Sequence, residues 1–435
     1  MTDERVTLLE CSGGFKKQTN SNKIYRFTVK TAIIGRKIIP TESVKFPNFF
    51  IHFIWFEYWF GDHGFTSNMT SQSKEILYSE KVPIDFKINS PDIQFQILFS
   101  PSFIDNKPKS CTISQLTWLD IHFDNDVGLG EIFPIVDILQ SFLEFCTQTF
   151  IYPDRFQGIK FSWCRRDTYK IINSAFLSDQ DDEIEEPSMM DSLFPSHEDL
   201  GLAIHNIKKQ RQILTPLLLY NEIRDDFETI MEKWFQLYER SHTEIDLYIA
   251  TRRDFNSLPR ATFLNLIFAI EGFHRQKKTK GKIIQKSMYK NAILPNLVEK
   301  CEKEVDNILS SENESTRQSM KDAVKGKLSM ANQFSLAGRL REILCIVSNY
   351  GIDEVQSKRE DFIKKVKDIR NDMSHGLSTN KIPSDEILMK INKNLKTIFE
   401  ALILGELGIV KKNINGIWGQ RNRQGINNEK NTRSN

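Results

Sequence analysis

A short run of six residues, 370–375, near the end of a predicted helix brings together side chains that suit phosphodiester chemistry. It reads Arg-Asn-Asp-Met-Ser-His, so a permanent cation, Arg370, and a titratable imidazole, His375, lie within one and a half turns. Histidine moves a proton near neutral pH, and arginine holds non-bridging phosphate oxygens by a two-pronged, charge-assisted contact. The run therefore predicts a site for phosphodiester cleavage that requires no metal ligand and no cofactor.

The same two residues also fit a structural role, with a surface arginine and a helix-capping histidine. Gly376 is a typical helix stop, and cations are favoured in the last turn of a helix. On a regular helix five residues rotate by about 140°, so Arg370 and His375 share a face only if the helix loosens at its end. Two copies of the helix that approach across a two-fold axis build a shared site more easily, and the spacing therefore predicts a homodimer or a larger homo-oligomer.

A basic segment lies upstream of this run. Seven Lys or Arg residues occur among the seventeen residues 274–290, without one acid. Such a loop is suited to tracking a phosphate backbone by counterion release, although a solvated loop is an equal alternative. The candidate RNA-binding residues are Arg275, Lys277, Lys278, Lys280 and Lys282. Glu271, just before this segment, is either a buried partner of a basic group or a residue of the helix surface.

In the N-terminal half, Asp120, His122 and Asp124 alternate with apolar residues. On a strand these three polar side chains share one face. They have the chemistry of a divalent-ion site, but a solvated strand face explains them more simply, and no matching ligand cluster is visible elsewhere. We therefore expect no metal site.

The distribution of residue types predicts two architectures in one chain. Most phenylalanines and prolines lie before residue 196, in short apolar or alternating runs that are typical of strands. We predict a β-rich, sandwich-like domain over 1–178, an acidic linker over 179–198, a helical domain over 199–410, and a basic, disordered tail over 411–435.

Within these domains the pattern predicts individual elements. The predicted strands include 24–31, 49–60, 93–99, 116–123 and 159–163, and a helix is predicted over 132–149. The later helices are predicted over 216–240, 243–256, 259–273, 293–309, 315–327, 333–350, 353–371 and 384–404. The fold class is therefore α+β, with the β-rich region first.

Composition limits the compartment and the partners. The chain has 59 basic and 57 acidic side chains, so any nucleic-acid surface must be local. Its six cysteines form no C-x-x-C or C-x-x-H pair, which argues against a zinc knuckle and a disulfide framework. No signal-peptide core and no apolar run of membrane-spanning length is present. We expect a soluble, cytoplasmic protein.

The run at 370–375 resembles the R-x4-H signature of the HEPN superfamily of metal-independent ribonucleases, in the variant where Asn follows the Arg. Two upstream helical segments, 261–273 with Ala-Ile-Glu at 269–271 and 334–344, precede it, and a further helix follows. This order is similar to the HEPN domain of ApeA-type anti-phage proteins over about 235–405. The aromatic run 55–61 in the β-rich half is compatible with the N-terminal domain of that family.

The resemblance implies a ribonuclease that acts in anti-phage defence or abortive infection. Its substrate would be tRNA or another RNA. The N-terminal domain would act as a sensor or regulator and bind a phage-derived trigger. It implies that Arg370, His375 and Asn371 form the catalytic site. Asp372, Ser374 and Glu271 are candidates for supporting roles, although a solvent-facing position explains Asp372 more simply than pairing with Arg370 does. The alternative is a non-catalytic scaffold in which the helical domain dimerises and the β domain binds a protein ligand.

Overall fold

The computed structural model describes residues 5–18, 23–35, 45–69, 74–89, 91–107, 110–162, 165–173, 216–253, 258–277, 283–350, 355, 357–374 and 383–409. Packing divides the chain into two compact units, Met1–Gln236 and Leu237–Asn435. The strands that the structure describes all belong to the first unit, and the second is helical. The predicted α+β class is therefore confirmed, whereas the predicted linker and tail, 179–198 and 411–435, lie outside the described residues.

Eight strands of the first unit form one sheet with antiparallel neighbours, and two more pair as a small ribbon. The strands are β1 (Arg5–Gln18), β2 (Lys23–Gly35), β3 (Lys45–Phe53), β4 (Phe65–Met69), β5 (Lys74–Tyr78), β6 (Ile84–Asn89), β7 (Asp92–Lys107), β8 (Ser110–Gly128), β9 (Pro153–Ser162) and β10 (Arg165–Asn173). The order across the large sheet is β1-β2-β10-β9-β3-β8-β7-β6, and β4 pairs with β5.

A helix supplies the layer against the apolar face of this sheet. Helix α1 spans Phe56–Phe60, α2 spans Leu129–Thr147, and α3 spans Tyr220–Ile223. Phe142 of α2 is buried beside Phe53 of β3 and Leu119 of β8. Alternate residues of an antiparallel strand point to one face, which must be covered when it is apolar, and α2 provides that cover.

The predicted strand over 49–60 is wrong in its second half. Strand β3 ends at Phe53, Trp55 adopts a left-handed backbone with φ of 70°, and α1 follows. Phe56, Trp59 and Phe60 are all buried, and their spacing of three and four residues is that of a helix face. Because aromatic residues continue from the strand into the helix, the sequence pattern did not show the change from strand spacing to helix spacing.

His52 of β3 joins the strand to α1 and β9 through two carboxylates. Its ring is buried, with Nε2 2.8 Å from Oε1 of Glu57 and Nδ1 hydrogen-bonded to Asp154. Burial opposes the charged form, but the hydrogen bonds with Asp154 and Glu57 outweigh it and raise the pKa of His52 to about 9. At neutral pH His52 is therefore a buried cation held between two acids.

This arrangement predicts a pH-dependent stability of the first unit. An unfolded histidine releases its proton near pH ~6.5, whereas folded His52 keeps it up to about pH 9. The free energy of unfolding should therefore fall by up to about 3 kcal/mol between these two values, and His52→Gln should flatten the fall. Denaturant unfolding from pH 6 to 9.5 measures it, with exposed His63→Gln as the control. Equal slopes for His52→Gln and the wild type would contradict the assignment.

The remaining helices follow the predicted order. They are α4 (Phe227–Arg253), α5 (Pro259–Lys277), α6 (Lys286–Met288), α7 (Leu294–Ile308), α8 (Glu314–Met330), α9 (Leu336–Ile346), α10 (Arg359–Ser374) and α11 (Asp385–Leu407), with a π turn at Tyr289–Ile293 before α7. Residues 227–240 and 243–253 join into α4, and only Ser241 departs from helical angles, with φ of −135°. None of the helices in the described part of the chain is long and apolar enough to cross a membrane.

Helices α5 and α11 form the centre of the helical unit. Phe273 of α5 meets Phe399 of α11 edge to face, with ring centroids 5.7 Å apart, and Tyr248 of α4 stacks on the same Phe399 ring at 5.1 Å. Burial of these rings orients α5. The polar residues at the end of α5 are thereby held in fixed positions.

Gly272 allows α4 to approach α5 closely. A Cβ atom at this position would lie 2.3 Å from Oε1 and 2.7 Å from Cγ of Glu244 on α4. Glu244 is itself buried and accepts a hydrogen bond from Gln276 at 2.8 Å. The contact leaves no room for a larger residue beside Glu271.

We therefore expect Gly272→Ala to destabilise the helical unit by roughly 1–3 kcal/mol, the usual cost of overpacking. Gly326→Ala is the matched control, because Gly326 lies within α8 with open space where its Cβ would be. It should stabilise the helix by about 0.5–1 kcal/mol through helix propensity. Thermal unfolding distinguishes the two, and equal midpoints for both variants would refute the close approach.

Candidate functional site

Helix α10 anchors Arg370 at the edge of the helical core. Ile363, Val366 and Ile369 recur at intervals of three residues and are buried, which fixes the face of α10 that points inward. Arg370 follows the last of them, and 32% of its side chain remains exposed. Its guanidinium is therefore held by the core but accessible to solvent.

Glu271 of α5 is the counter-charge of Arg370. Nε of Arg370 lies 3.8 Å from Oε1 of Glu271, whose side chain is only 8% exposed. One turn later on α5, Arg275 donates a hydrogen bond from Nη2 to Oε2 of Glu271 at 3.2 Å. Of the two interpretations left open for Glu271, the structure supports the buried partner of basic groups.

The ion pair between Arg370 and Glu271 leaves hydrogen-bonding capacity unused. A separation of 3.8 Å is too long for a hydrogen bond. Oε1 of Glu271 and Nε of Arg370 are both buried and have no hydrogen-bond partner among the residues that the structure describes. Such groups are costly to bury unless a further partner satisfies them.

A third arginine, Arg339 of α9, contacts α5 at His274. Arg339 is 4% exposed, donates Nε to the carbonyl oxygen of Phe334 at 3.2 Å, and places Nη1 3.5 Å from Nδ1 of His274. Nε2 of His274 lies 2.8 Å from Oε2 of Glu342. Because an arginine can only donate, Nδ1 of His274 accepts here and Nε2 carries the proton.

The charges of Arg275 and Glu271 both act on Arg339. The pKa of Arg339 is lowered, first by burial and then by the charge of Arg275, while Glu271 acts in the opposite direction. An arginine remains protonated in spite of such a shift. Arg275 and Arg370 thus flank one buried carboxylate, and Arg339 contacts His274 on the same helix, α5, as Glu271 and Arg275.

The other residues of the signature lie at the end of α10. Asn371 and Asp372 are half-buried, and exposed Ser374 donates its hydroxyl to the carbonyl oxygen of Arg370 at 2.8 Å. That bond ties the last turn of the helix to the backbone of Arg370. His375 lies outside the described residues, so its proposed role and the angle between it and Arg370 stay predictions.

Two of the five predicted RNA-binding residues are within the described structure, and both are paired. Arg275 binds Glu271, and Nζ of Lys277 lies 2.5 Å from Oε1 of Glu406, which also pairs with Arg240. Burial alone would raise the pKa of Glu406, but Lys277 and Arg240 lower it overall. Lys278, Lys280 and Lys282 lie outside the described residues.

A second buried ionic cluster lies between α4 and α11. Glu400, 1% exposed, accepts hydrogen bonds from the hydroxyl of Tyr248 at 2.7 Å and from Nη2 of Arg252 at 2.5 Å. Burial, followed by the charge of Arg252, lowers the pKa of Lys396 to about 8. These groups satisfy one another, which is typical of a structural ion pair in a helical core.

The strand triplet of the first unit separates into a pair and an exposed residue. Nε2 of His122 lies 2.9 Å from Oδ2 of Asp120, and Asn48 contacts the other ring nitrogen at 2.5 Å. The hydrogen bond with Asp120 raises the pKa of His122. Asp124 is exposed, as a solvated face requires, but Asp120 is buried. Across the described ranges no group of three or more His, Cys, Asp or Glu residues is placed to hold a metal ion.

Sequence reasoning missed Arg339, His274 and Glu400. Each is a polar residue at a position that helical spacing assigns to the core, as Arg339 does between the apolar residues of α9. A charged residue on an apolar helix face needs a partner, and that was the available signal. The sequence does not show which helix supplies the partner.

Comparison with known proteins identifies the two parts of the chain separately. Residues 1–162 match the family model of ApeA N-terminal domain 1, and residues 264–413 match the family model of Apea-like HEPN. The second match includes Glu271, Arg339, Arg370 and His375. No curated protein matches the chain, and no solved structure does.

Proposed function

The chain has the ApeA-type HEPN architecture, which is that of a HEPN-family nuclease in anti-phage defence, and from this premise we propose that it is a metal-independent endoribonuclease. The N-terminal β-rich domain acts as the sensor or regulator and responds to a phage-derived trigger. The helical domain cuts RNA, with tRNA as a candidate target, and the cut halts phage production in the infected cell.

One observation carries the catalytic part of this proposal. Arg370 lies at the end of α10, anchored through Ile369, with a buried Nε that lacks a hydrogen-bond partner among the described residues. A phosphate oxygen is a suitable acceptor for that donor. His375 follows within five residues, which brings a proton-transfer group to the same end of the helix.

In the proposed reaction, neutral His375 takes the proton of a ribose 2′-hydroxyl. The 2′-oxygen attacks the adjacent phosphorus, and the bond from phosphorus to the 5′-oxygen of the next nucleotide breaks. The departing 5′-oxygen takes up a proton and becomes a 5′-hydroxyl, while the other product ends in a 2′,3′-cyclic phosphate. Arg370 stabilises the negative charge that develops on the phosphate oxygens.

Neighbouring residues support these two groups. Glu271 positions the Arg370 guanidinium, because its buried carboxylate fixes the nearest counter-charge at 3.8 Å. Asn371 orients the backbone or the substrate by its amide, and Ser374 steadies the last turn through its bond to the Arg370 carbonyl. Asp372 is an additional candidate for pairing with Arg370. The basic segment at 274–290 tracks the RNA backbone.

The first prediction of this function concerns the two signature residues. His375→Ala should lower cleavage of RNA in the presence of EDTA by ~10²–10⁴-fold, because the proton-transfer step is lost. Arg370→Lys should be severely impaired, since an ammonium cannot reproduce the planar fork on a phosphate. Cleavage of total RNA, with the product ends mapped to 2′,3′-cyclic phosphate and 5′-hydroxyl, measures both.

Matched controls are His242→Ala and Arg341→Lys. His242 is exposed on α4, and Arg341 is an exposed arginine of α9 paired with Glu360. Both controls should cleave as the wild type does. Full activity of His375→Ala would overturn the site assignment, and a wild type that does not cut RNA when triggered would favour the scaffold alternative.

The second prediction concerns assembly. Because Arg370 and His375 point about 140° apart on an ideal helix, we propose that the active species is at least a homodimer, with both copies of α10 lining one cleft near the two-fold axis. Mixed dimers of wild-type and His375→Ala chains should lose more than half of the activity if the two copies cooperate, and about half if each copy works alone. Light scattering under assay conditions gives the oligomeric state, and a monomer with full RNA cleavage would refute this arrangement.

A further inference from the structure

The cluster at the ends of α5, α9 and α10 carries more positive than negative charge. Arg275 and Arg370 pair with the buried carboxylate of Glu271, and Arg339 adjoins them through His274, with Nη1 3.5 Å from its Nδ1. Glu342 lies one imidazole ring further away, on the far side of His274 from Arg339. Even with both acids counted, three arginines leave a net charge of +1.

Arg339 makes this excess unusual for a folded core. It is buried, and no carboxylate lies within ion-pair distance of it in the described structure. Its contacts are the carbonyl oxygen of Phe334 and a neutral nitrogen of His274. A buried charge is ordinarily paired with an opposite charge, so the folded chain retains a cation that lacks a direct counter-ion.

The unsatisfied atoms show what kind of partner would complete the cluster. Nε of Arg370 is a donor that needs an acceptor, and Oε1 of Glu271 is an acceptor that needs a donor. A phosphodiester brings anionic acceptor oxygens and a charge of −1, which equals the excess. The ribose hydroxyl beside it brings a donor. An isolated inorganic anion would satisfy only the first of these needs.

Access to solvent differs among the three arginines. The side chain of Arg275 is 57% exposed and that of Arg370 is 32% exposed, whereas Arg339 is almost fully buried. The first two can contact a ligand directly. Arg339 does not contact the ligand; it acts through its charge and through its contacts with His274 and with the carbonyl oxygen of Phe334.

We propose that Arg275, Arg339 and Arg370 form one anion site around Glu271 that binds a ribose-phosphate unit of the RNA backbone, with Arg339 as a positioning residue. The inference rests on the proposed ribonuclease function for the identity of the ligand, and it joins Arg339 and Arg275, the latter already a candidate RNA-binding residue, to the site that the signature predicted around Arg370. The phosphate is held between the exposed heads of Arg275 and Arg370, and the field of Arg339 strengthens the contact.

The test is the binding of inorganic phosphate to the full-length protein at low ionic strength, measured by calorimetry. Arg275→Gln and Arg339→Gln should each weaken phosphate binding on the order of tenfold, as the loss of one charge at short range in a partly buried site implies. Arg339→Lys retains the charge and should restore most of the affinity. Arg341→Gln, two positions along α9, removes an exposed arginine that is already paired with Glu360 and should bind phosphate as the wild type does.

Arg339→Gln has a structural risk, because it leaves buried groups without a partner. Its thermal unfolding is therefore measured alongside, and if it does not fold, exposed Arg275→Gln and Arg339→Lys decide the question. A purely structural Arg339 would leave phosphate affinity unchanged in every folded variant. Phosphate affinity that is equal in the wild type, Arg275→Gln and Arg341→Gln would overturn the anion site.

The outcome is independent of catalysis. Phosphate binding that depends on Arg275 and Arg339, in a protein that cuts no RNA, would support the anion site and refute the proposed ribonuclease activity. RNA cleavage together with phosphate binding that does not depend on either arginine would support the ribonuclease activity and refute the anion site.

Discussion

The helical unit is organised around the burial of one carboxylate, Glu271. A charge withdrawn from water must be matched by opposite charge and by hydrogen bonds, or the fold loses several kcal/mol. Glu271 obtains opposite charge from arginines of its own helix and of α10 and a hydrogen bond from Arg275, while its Oε1 lacks a hydrogen-bond partner among the described residues. Together with the buried residues Ile363, Val366 and Ile369, this pairing holds the end of α10 beside α5.

The same rule operates elsewhere in the chain with a different outcome. Glu400 is deeper in the core than Glu271, but Tyr248 and Arg252 satisfy it completely. In the first unit, His52 is a buried cation paired with two carboxylates, and their combined negative charge is larger than its positive charge. These clusters hold elements together. Cations outnumber the acid around Glu400, where Arg252 and Lys396 adjoin one carboxylate, and also around Glu271, where Arg275 and Arg370 keep part of their side chains exposed.

In the proposed ribonuclease, this local excess of positive charge would supply the attraction for RNA that the nearly neutral chain as a whole lacks. The 59 basic and 57 acidic side chains almost cancel, so long-range attraction by net charge is weak and recognition must be local. Arginine suits such a site because it stays charged when buried and presents donors in a rigid plane. The buried residues Ile363 and Ile369 give α10 a fixed base, while the head of Arg370 stays accessible. A group that is anchored in the core and open at its tip is preorganised for transition-state charge.

The sequence alone determined the order of the domains, the helical period of the C-terminal half and the signature at 370–375, because these depend on local spacing. Periodicity also predicted the helices that correspond to α5, α10 and α11. It could not predict that the aromatic run after Phe53 changes from strand to helix, because both periods bury the same kinds of side chain. The identity of Arg339 as a neighbour of Glu271 was decided only by tertiary structure. Charge pairing between residues far apart in sequence depends on which helices pack together. The spacing of residues along one helix does not predict which helices these are.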